Sequence, residues 1–217
     1  MDPRRQTGAV PAAGSLQSYA DLASDVRARA PRLGVVRLVA VDGYAGSGKT
    51  TFAERLGSTL DAQVLHTDDL LEGWTDTVGF WSRLESWVLA PLRAGRAGAY
   101  RRYDWERGQF AEWHSVPSAP ALVVEGVTSA RAVVRPDLAM SVWVEAPSAV
   151  CLARGLARDG EALRPQWEQW RRDEAAHFAL DRTRDHVDLV VDGDPTVPHD
   201  PERHFVSLRS QGSIGRC

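Results

Sequence analysis

Short apolar runs alternate with amphipathic stretches along most of the chain. Runs rich in β-branched residues predict five buried strands, over residues 35–41, 63–66, 121–125, 139–145 and 187–191. Apolar positions at helical spacing predict helices over 15–30 and near 50–60, 79–94, 147–157 and 165–180. Strands that alternate with helices favour βαβ units. We therefore expect an α/β fold with a mostly parallel five-stranded sheet and helices on both faces.

The alternating pattern stops near both ends of the chain. Residues 1–14 are rich in Pro, Gly and Ala and are expected to form a flexible N-terminus. Residues 193–217 contain three prolines between positions 195 and 201 and are expected to form an irregular C-terminal tail. The 217-residue chain is long enough for one full hydrophobic core, so residues 15–192 are predicted to form a single domain.

A glycine-rich turn lies between the first predicted strand of this domain and the helix that follows it. Residues 43–50, GYAGSGKT, fit the G-x-x-x-x-G-K-[ST] pattern of a phosphate-binding P-loop. Lys49 is the only lysine of the chain, and a compact ammonium on a flexible stem can reach nucleotide phosphates. The turn predicts a nucleoside triphosphate site. Its candidate ligands are Gly43, Ala45, Gly46, Ser47, Gly48, Lys49, Thr50 and Thr51.

Acidic residues follow two other predicted strands. Asp68 and Asp69 come directly after the strand at 63–66, and Glu125 ends the strand at 121–125. Ligands of open α/β sheets bind beyond the carboxyl ends of the strands. An acid such as Asp68 can accept the proton of a hydroxyl that attacks a phosphate. Glu125, together with the Thr50 hydroxyl, is a candidate for holding Mg²⁺.

Two further segments combine charge with aromatic or mobile character. Arg154 and Arg158 follow the fourth predicted strand and are candidates for closing over a triphosphate and stabilising the transferring phosphoryl group. The segment 100–105, YRRYDW, combines stacking surface with both signs of charge and could hold a planar, hydroxylated substrate. The candidate substrate contacts are Asp68, Asp69, Arg102, Tyr103 and Asp104.

Composition narrows the classes of partner. The net charge of −3 argues against a general nucleic-acid binder. No apolar run approaches the roughly 18 residues of a membrane span. Cys151 and Cys217 are far apart and suggest a reducing compartment without disulfides, so we expect a cytoplasmic protein. The histidines show no metal-ligand spacing, and the sequence leaves the oligomeric state open, including a homo-oligomer.

Together these pieces resemble the small-molecule kinases of the P-loop superfamily, in particular the uridine kinase and nicotinamide riboside kinase group, over residues 35–192. The segment 65–69, LHTDD, looks like the family segment whose first Asp is the catalytic base, which points to Asp68. The stretch 103–105, YDW, is similar to an element that contacts the nucleoside. Glu125 matches the strand-end Glu near magnesium, and residues 152–159 look like the entry to a lid with two arginines.

The resemblance implies a P-loop NTPase fold with sheet order 2-3-1-4-5 and a small lid at about 155–166. It also implies ATP as phosphoryl donor and Mg²⁺ as the metal. The main hypothesis is an ATP-dependent phosphotransferase acting on a hydroxyl of a nucleoside or similar metabolite. Here Lys49 holds phosphates, Asp68 is the base, and Arg154 and Arg158 stabilise the transition state.

Three alternatives stay open. The first is a nucleoside monophosphate kinase, whose anionic acceptor needs extra arginines such as Arg101 and Arg102. The second is a P-loop ATPase or nucleotide switch that acts through a protein partner. The third is a P-loop fold that has lost its activity.

Overall fold

The computed structural model describes residues 14–77 and 79–210. Its strands form one central β-sheet and one separate hairpin. The strands are β1 (Ser15–Ser18), β2 (Arg37–Asp42), β3 (Gln63–His66), β4 (Gly98–Asp104), β5 (Gln109–Val116), β6 (Ala121–Glu125), β7 (Leu138–Glu145), β8 (Leu189–Asp192) and β9 (His204–Ser210). The seven-stranded sheet has the order β1-β9-β8-β7-β2-β6-β3, and β4 and β5 form a two-stranded antiparallel hairpin.

The predicted α/β class and mostly parallel sheet are confirmed, but the predicted count of five strands is wrong. The five parallel strands lie in the order β3-β6-β2-β7-β8, which reads 2-3-1-4-5 when they are numbered along the chain. Two antiparallel strands, β9 and β1, extend the sheet beyond β8. The short, half-polar β1, with the sequence SLQS, carries no strand pattern of its own and pairs only because β9 is beside it.

Six α-helices connect and flank the strands in the part of the chain described. They are α1 (Tyr19–Ala28), α2 (Lys49–Leu60), α3 (Trp81–Leu84), α4 (Ala90–Arg93), α5 (Ser148–Asp159) and α6 (Arg164–Asp181). A π-helical turn over Glu85–Leu89 joins α3 and α4. None of these helices combines the length and the apolar composition that crossing a bilayer would need.

The predicted helix over 15–30 begins later, at Tyr19. Ser18 has an extended backbone, and its Oγ accepts a hydrogen bond from the Asp21 N–H, as expected of an N-cap. The residues before this cap belong to β1 and not to the helix.

Two apolar layers enclose the sheet. Along β2, Val39 and Val41 face α1 and α2, whereas Leu38 and Ala40 face the layer that contains α3, α4 and part of α6. This alternation follows from the two-residue period of a strand. Because both faces are covered, β2, β6, β7 and β8 are almost entirely buried, which explains why their sequences are nearly continuous apolar runs. The edge strand β3 is only partly buried.

The C-terminal segment is part of the core. The predicted irregular tail over 193–217 is wrong for residues 204–210, because β9 pairs with both β1 and β8. Phe205 is 3% exposed, and its ring centroid lies 5.2 Å from those of Tyr19 and Phe52. Residues 211–217, and residues 1–13 of the predicted flexible N-terminus, lie outside the described part of the chain.

The segment predicted as a lid, about 155–166, spans the end of α5, a 3₁₀ turn over Glu161–Leu163 and the start of α6. Gly155 allows these two helices to approach closely, since a Cβ there would lie 2.3 Å from the Trp167 ring. The segment therefore packs as a compact helical corner over one end of the sheet.

We predict that Phe205→Ala destabilises the protein by about 3–5 kcal/mol, because it removes a buried ring from the cluster with Tyr19 and Phe52. Urea unfolding measures this free energy. Leu180→Ala is the matched control, since Leu180 is 86% exposed, and should change stability by less than about 0.5 kcal/mol. If Phe205→Ala behaved like this control, β9 would not be part of the folded core.

Candidate functional site

The carboxyl ends of three neighbouring parallel strands meet at one cleft of about 1240 Å³. In the sheet, β6 lies between β2 and β3, so Glu125 is in register with Val41 on one side and His66 on the other. The segments that follow β2 and β3 are therefore separated by two strand spacings, about 10 Å. That distance leaves room between them for a phosphate and a small polar group.

The P-loop, residues 43–50, connects β2 to α2. Within the described residues, five of its N–H groups make no hydrogen bond, those of Tyr44, Gly46, Gly48, Lys49 and Thr50, and neither does that of Thr51, which follows it. The helix starts without a side-chain cap, at Gly48 with a left-handed φ of 100°. Gly46 also has a positive φ, 80°, and a Cβ there would lie 2.3 Å from the Cys151 carbonyl oxygen. This cradle of free donors at a helix N-terminus suits an anion.

Lys49 and Ser47 complete the donor set of the loop. The Lys49 side chain is largely buried, and its Nζ donates to the Tyr44 carbonyl oxygen at 2.9 Å. The Ser47 hydroxyl is buried and has no partner among the described residues. The ammonium forms no ion pair within the described residues, so these residues fit a polyphosphate group.

Asp42, the last residue of β2, braces the start of the P-loop. Its fully buried carboxylate accepts hydrogen bonds from the N–H groups of Gly43 at 2.7 Å, Thr128 at 2.9 Å and Ala130 at 2.9 Å. Burial raises the pKa of Asp42 to about 7, while these donors and Lys49 oppose the rise. The carboxylate thus fixes the P-loop against the segment that follows β6.

Glu125 and His66 form a pair at the ends of β6 and β3. His66 Nδ1 lies 2.8 Å from Glu125 Oε2, and the hydrogen bond to Glu125 raises the pKa of His66. Thr50, Asp68 and Glu125 all line the cleft. No group of three or more potential metal-ligating side chains occurs in residues 14–77 and 79–210. A magnesium ion here would complete its shell with water and substrate phosphates, as Mg²⁺ usually does.

Asp68 lies directly after β3 and, like Lys49, lines the cleft. Two effects raise the pKa of its carboxyl: first the surrounding protein, which displaces water, and then the negative charge of Glu125. Lys49 and Arg158 act in the opposite direction. The side chain remains accessible to solvent inside the cleft, and this water limits the rise. The Trp105 indole N–H donates to the Asp68 carbonyl oxygen at 3.2 Å and so fixes its backbone.

Four tryptophans line the cleft near Asp68. The Trp74 ring centroid lies 5.8 Å from that of Trp105, 5.9 Å from that of Trp167 and 6.2 Å from that of Trp170. The rings meet edge to face and together form an apolar wall of the kind that binds the body of a small molecule. Their convergence depends on three separate segments, which is why the sequence did not reveal it.

Three predicted substrate residues lie outside the cleft wall. Arg102 pairs with Glu112 on the hairpin, Tyr103 is buried against neighbouring rings, and the Asp104 carboxylate accepts the N–H groups of Glu106 and Arg107. The physical reason is the hairpin turn, which needs the Asp104 carboxylate as an internal acceptor. Trp105 and Glu106, the next two residues, line the cleft instead.

The two predicted arginines line the cleft but have different partners. Arg154 donates to the Gly193 carbonyl oxygen at 2.9 Å and pairs with Asp194 at 2.7 Å, so it ties α5 to the segment after β8. Arg158 pairs with Asp159, and its guanidinium carbon lies 5.8 Å from the Trp167 ring centroid. Arg158 therefore lies on the Asp68 side of the cleft, whereas Arg154 is held by its contacts with the segment after β8.

Most of the predicted nucleotide ligands lie together at the cleft, and several other residues that form the site were not predicted. Of the predicted phosphate-binding residues, Gly43 and Ser47 lie beneath the surface, and the others line the cleft together with Asp68, Asp69 and Glu125. The contributors not predicted are Asp42, His66, Trp74 and Glu174. The sequence does contain an indication of Asp42, because this carboxylate ends an apolar strand. It also contains one of Glu174, which occupies the apolar stripe of α6 with Trp167, Trp170 and Phe178.

No protein-family model and no curated protein matches this chain. Among solved structures it is similar to a possible uridine kinase from Bacillus stearothermophilus, with 21% sequence identity and a TM-score of 0.58. That similarity covers 79% of this chain and 96% of the other. The chain therefore shares its fold with that protein. A candidate fructose transport system kinase from Silicibacter sp. TM1040 is similar as well, with 19% identity, a TM-score of 0.59 and coverage of 76% and 95%.

We predict that Asp42→Ala lowers the free energy of unfolding by several kcal/mol, on the order of 1–3 kcal/mol for each of the N–H donors left buried without an acceptor. Urea unfolding monitored by tryptophan fluorescence measures the loss. Asp25→Ala, at an exposed position of α1, should stay within about 0.5 kcal/mol of the wild type. Equal stability of the two variants would show that Asp42 does not brace the loops.

Proposed function

We propose that this protein is a kinase that transfers the γ-phosphate of ATP to a hydroxyl group of a nucleoside or similar small metabolite. The observation that supports this best is a single cleft lined by Lys49, the free P-loop amides and Asp68. Donor phosphates and acceptor hydroxyl would meet between the ends of β2 and β3. The P-loop kinase fold of the chain agrees with this proposal.

Each residue has a defined task in the transfer. The P-loop amides and Lys49 bind and orient the β- and γ-phosphates, which needs little rearrangement because the donors are already free. Asp68 takes the proton from the acceptor hydroxyl while that oxygen bonds to the γ-phosphorus and the bond to the β-phosphate oxygen breaks. Arg158 lies on the same side of the cleft as Asp68 and would stabilise negative charge on the transferring group.

Thr50 and Glu125 would hold the magnesium ion of the nucleotide, Thr50 through its hydroxyl and Glu125 directly or through water. The ion, when bound, neutralises phosphate charge and orients the β- and γ-phosphates. His66 keeps the Glu125 carboxylate oriented through the 2.8 Å hydrogen bond. This set contains too few protein ligands to bind magnesium tightly without phosphates.

The surroundings of Asp68 favour an uncharged acceptor with a flat, apolar body. Trp74 and Trp105 offer ring surface, and Asp69 and Glu106 add negative charge to the same region. Arg101 and Arg102, the arginines considered for an acceptor phosphate, are bound to hairpin carbonyls and to Glu112 and do not line the cleft. A nucleoside monophosphate is therefore a poorer candidate than a nucleoside.

The other arm of the cleft is left for the rest of the donor nucleotide. Beyond the start of α2 it is lined by residues from α1, α2 and the segment 192–206, including Pro195, His199 and Phe205. Because the phosphates lie at the P-loop and the acceptor at Asp68, we assign the donor nucleoside to this arm. We also propose a cytoplasmic location, where ATP is abundant and the buried free thiol of Cys151 would stay reduced.

We predict that purified protein releases ADP from ATP and magnesium when a suitable nucleoside or hydroxylated metabolite is added. Asp68→Asn should lower kcat by about 10²–10⁴-fold, because it removes the proton acceptor, and should leave the ATP affinity unchanged. A coupled ADP-release assay over a panel of nucleosides, their monophosphates and sugars measures the first quantity, and fluorescence titration measures the second.

Asp61→Asn is the matched control. Asp61 is exposed at the C-terminus of α2 with a left-handed backbone that Asn tolerates, so this variant should retain wild-type kcat. Retention of kcat by Asp68→Asn would disprove its role as base. Faster turnover of a monophosphate than of its nucleoside would contradict the proposed acceptor class.

A further inference from the structure

Glu174 is a buried carboxylate at the junction of α6 and the P-loop. It is 1% exposed and occupies the inner face of α6 with Trp170 and Phe178, where apolar side chains are expected. A carboxylate is costly to bury without a partner of opposite charge. Such a residue needs an explanation that the packing of an aromatic helix face does not supply.

The contacts of Glu174 connect it to the phosphate site. Its Oε2 accepts a hydrogen bond from the Ala45 N–H, in the middle of the P-loop, at 2.9 Å. Glu174 forms no ion pair within the described residues. The Trp170 indole lies one helical turn away, and its Nε1 makes no hydrogen bond there. A negatively charged carboxylate bound to this loop would repel the phosphate oxygens that the loop is proposed to bind.

Charged and titratable groups from every packed element act on Glu174. They are Lys49 of α2, Arg171 of α6, Tyr44 of the P-loop and Cys151 of α5. Burial raises the pKa of Glu174 to about 7, while the Ala45 N–H and the charge of Lys49 oppose the rise. Near neutral pH the side chain therefore exists in both protonation states.

A bound triphosphate would shift this balance. Its negative charges would lie beside Glu174, and like charges favour the neutral form of a carboxyl group. The same phosphates would engage the Lys49 ammonium, so less of its stabilising effect would reach the Glu174 carboxylate. The neutral acid can still accept the Ala45 N–H through its carbonyl oxygen, so the contact between α6 and the P-loop survives protonation.

We propose that Glu174 is a positioning residue that holds the P-loop against α6 and takes up a proton from solvent when a triphosphate binds. This inference rests on the proposed triphosphate site at the P-loop. Triphosphate binding is then linked to pH: affinity falls as pH rises from 6 to 8, because more protein must first be protonated.

Calorimetric titration with magnesium and a non-hydrolysable ATP analogue, in buffers of different ionisation enthalpy, measures protons bound per nucleotide. At pH 7.5 we expect the wild type to take up a substantial fraction of a proton more than Glu174→Gln does. Glu174→Gln keeps the shape and the acceptor oxygen, and its affinity should be nearly independent of pH over this range. The matched control, Glu168→Gln at an exposed position of the same helix, should behave as the wild type does.

Equal proton uptake by the wild type and Glu174→Gln, with equal pH dependence of affinity, would overturn this inference and leave the kinase proposal intact. Absence of analogue binding to the wild type would overturn the triphosphate site itself, and this inference with it. Should Glu174→Gln fail to fold, the wild type decides alone. Its uptake must be near zero at pH 5.5 and rise through pH 7, and a constant uptake contradicts the proposal.

Discussion

The geometry of the cleft depends on one buried carboxylate at the point where neighbouring parallel strands end. Asp42 accepts three backbone N–H groups, one from the first residue of the P-loop and two from the segment after β6. These N–H groups have no other acceptor, so the two segments must keep their positions relative to each other. Because these hydrogen bonds fix the start of the P-loop, its other N–H donors can remain free and open to solvent.

The functional groups of the cleft lie on separate elements. Backbone N–H donors follow the end of β2, and the Asp68 carboxylate follows the end of β3, two strands away. The P-loop supplies positive potential through Lys49 and free amides, whereas Asp68 and its neighbours supply negative charge and ring surface. Charge therefore changes sign across the cleft, which agrees with the proposed placement of a polyphosphate at β2 and a neutral hydroxyl compound at β3. α6 contacts both sides, through Glu174 at the P-loop and through Trp167 and Trp170 near Asp68.

Features with a local physical cause could be predicted from the sequence, and features that arise from packing could not. Four of the five parallel strands are buried on both faces and so appear as apolar runs, and the P-loop needs a fixed spacing of glycines around Lys49. The edge strands β1 and β9 depend on each other and carry no comparable pattern. Asp104 had the right chemistry for a substrate contact but is used by its own turn. The contact between Glu174 and Ala45 joins residues 129 positions apart, a separation over which no local pattern indicates a contact.

The proposed chemistry requires that the P-loop of this chain bind a triphosphate through Lys49 and its free amides. Equilibrium binding of ATP to the wild type and to Lys49→Met, with and without magnesium, tests it most directly. Met keeps the length of the side chain without its charge. We expect magnesium-dependent binding of ATP whose affinity Lys49→Met lowers by about 10–100-fold, which is the effect of losing one charge-assisted hydrogen bond. Lack of binding to the wild type, or equal binding by both proteins, would contradict it.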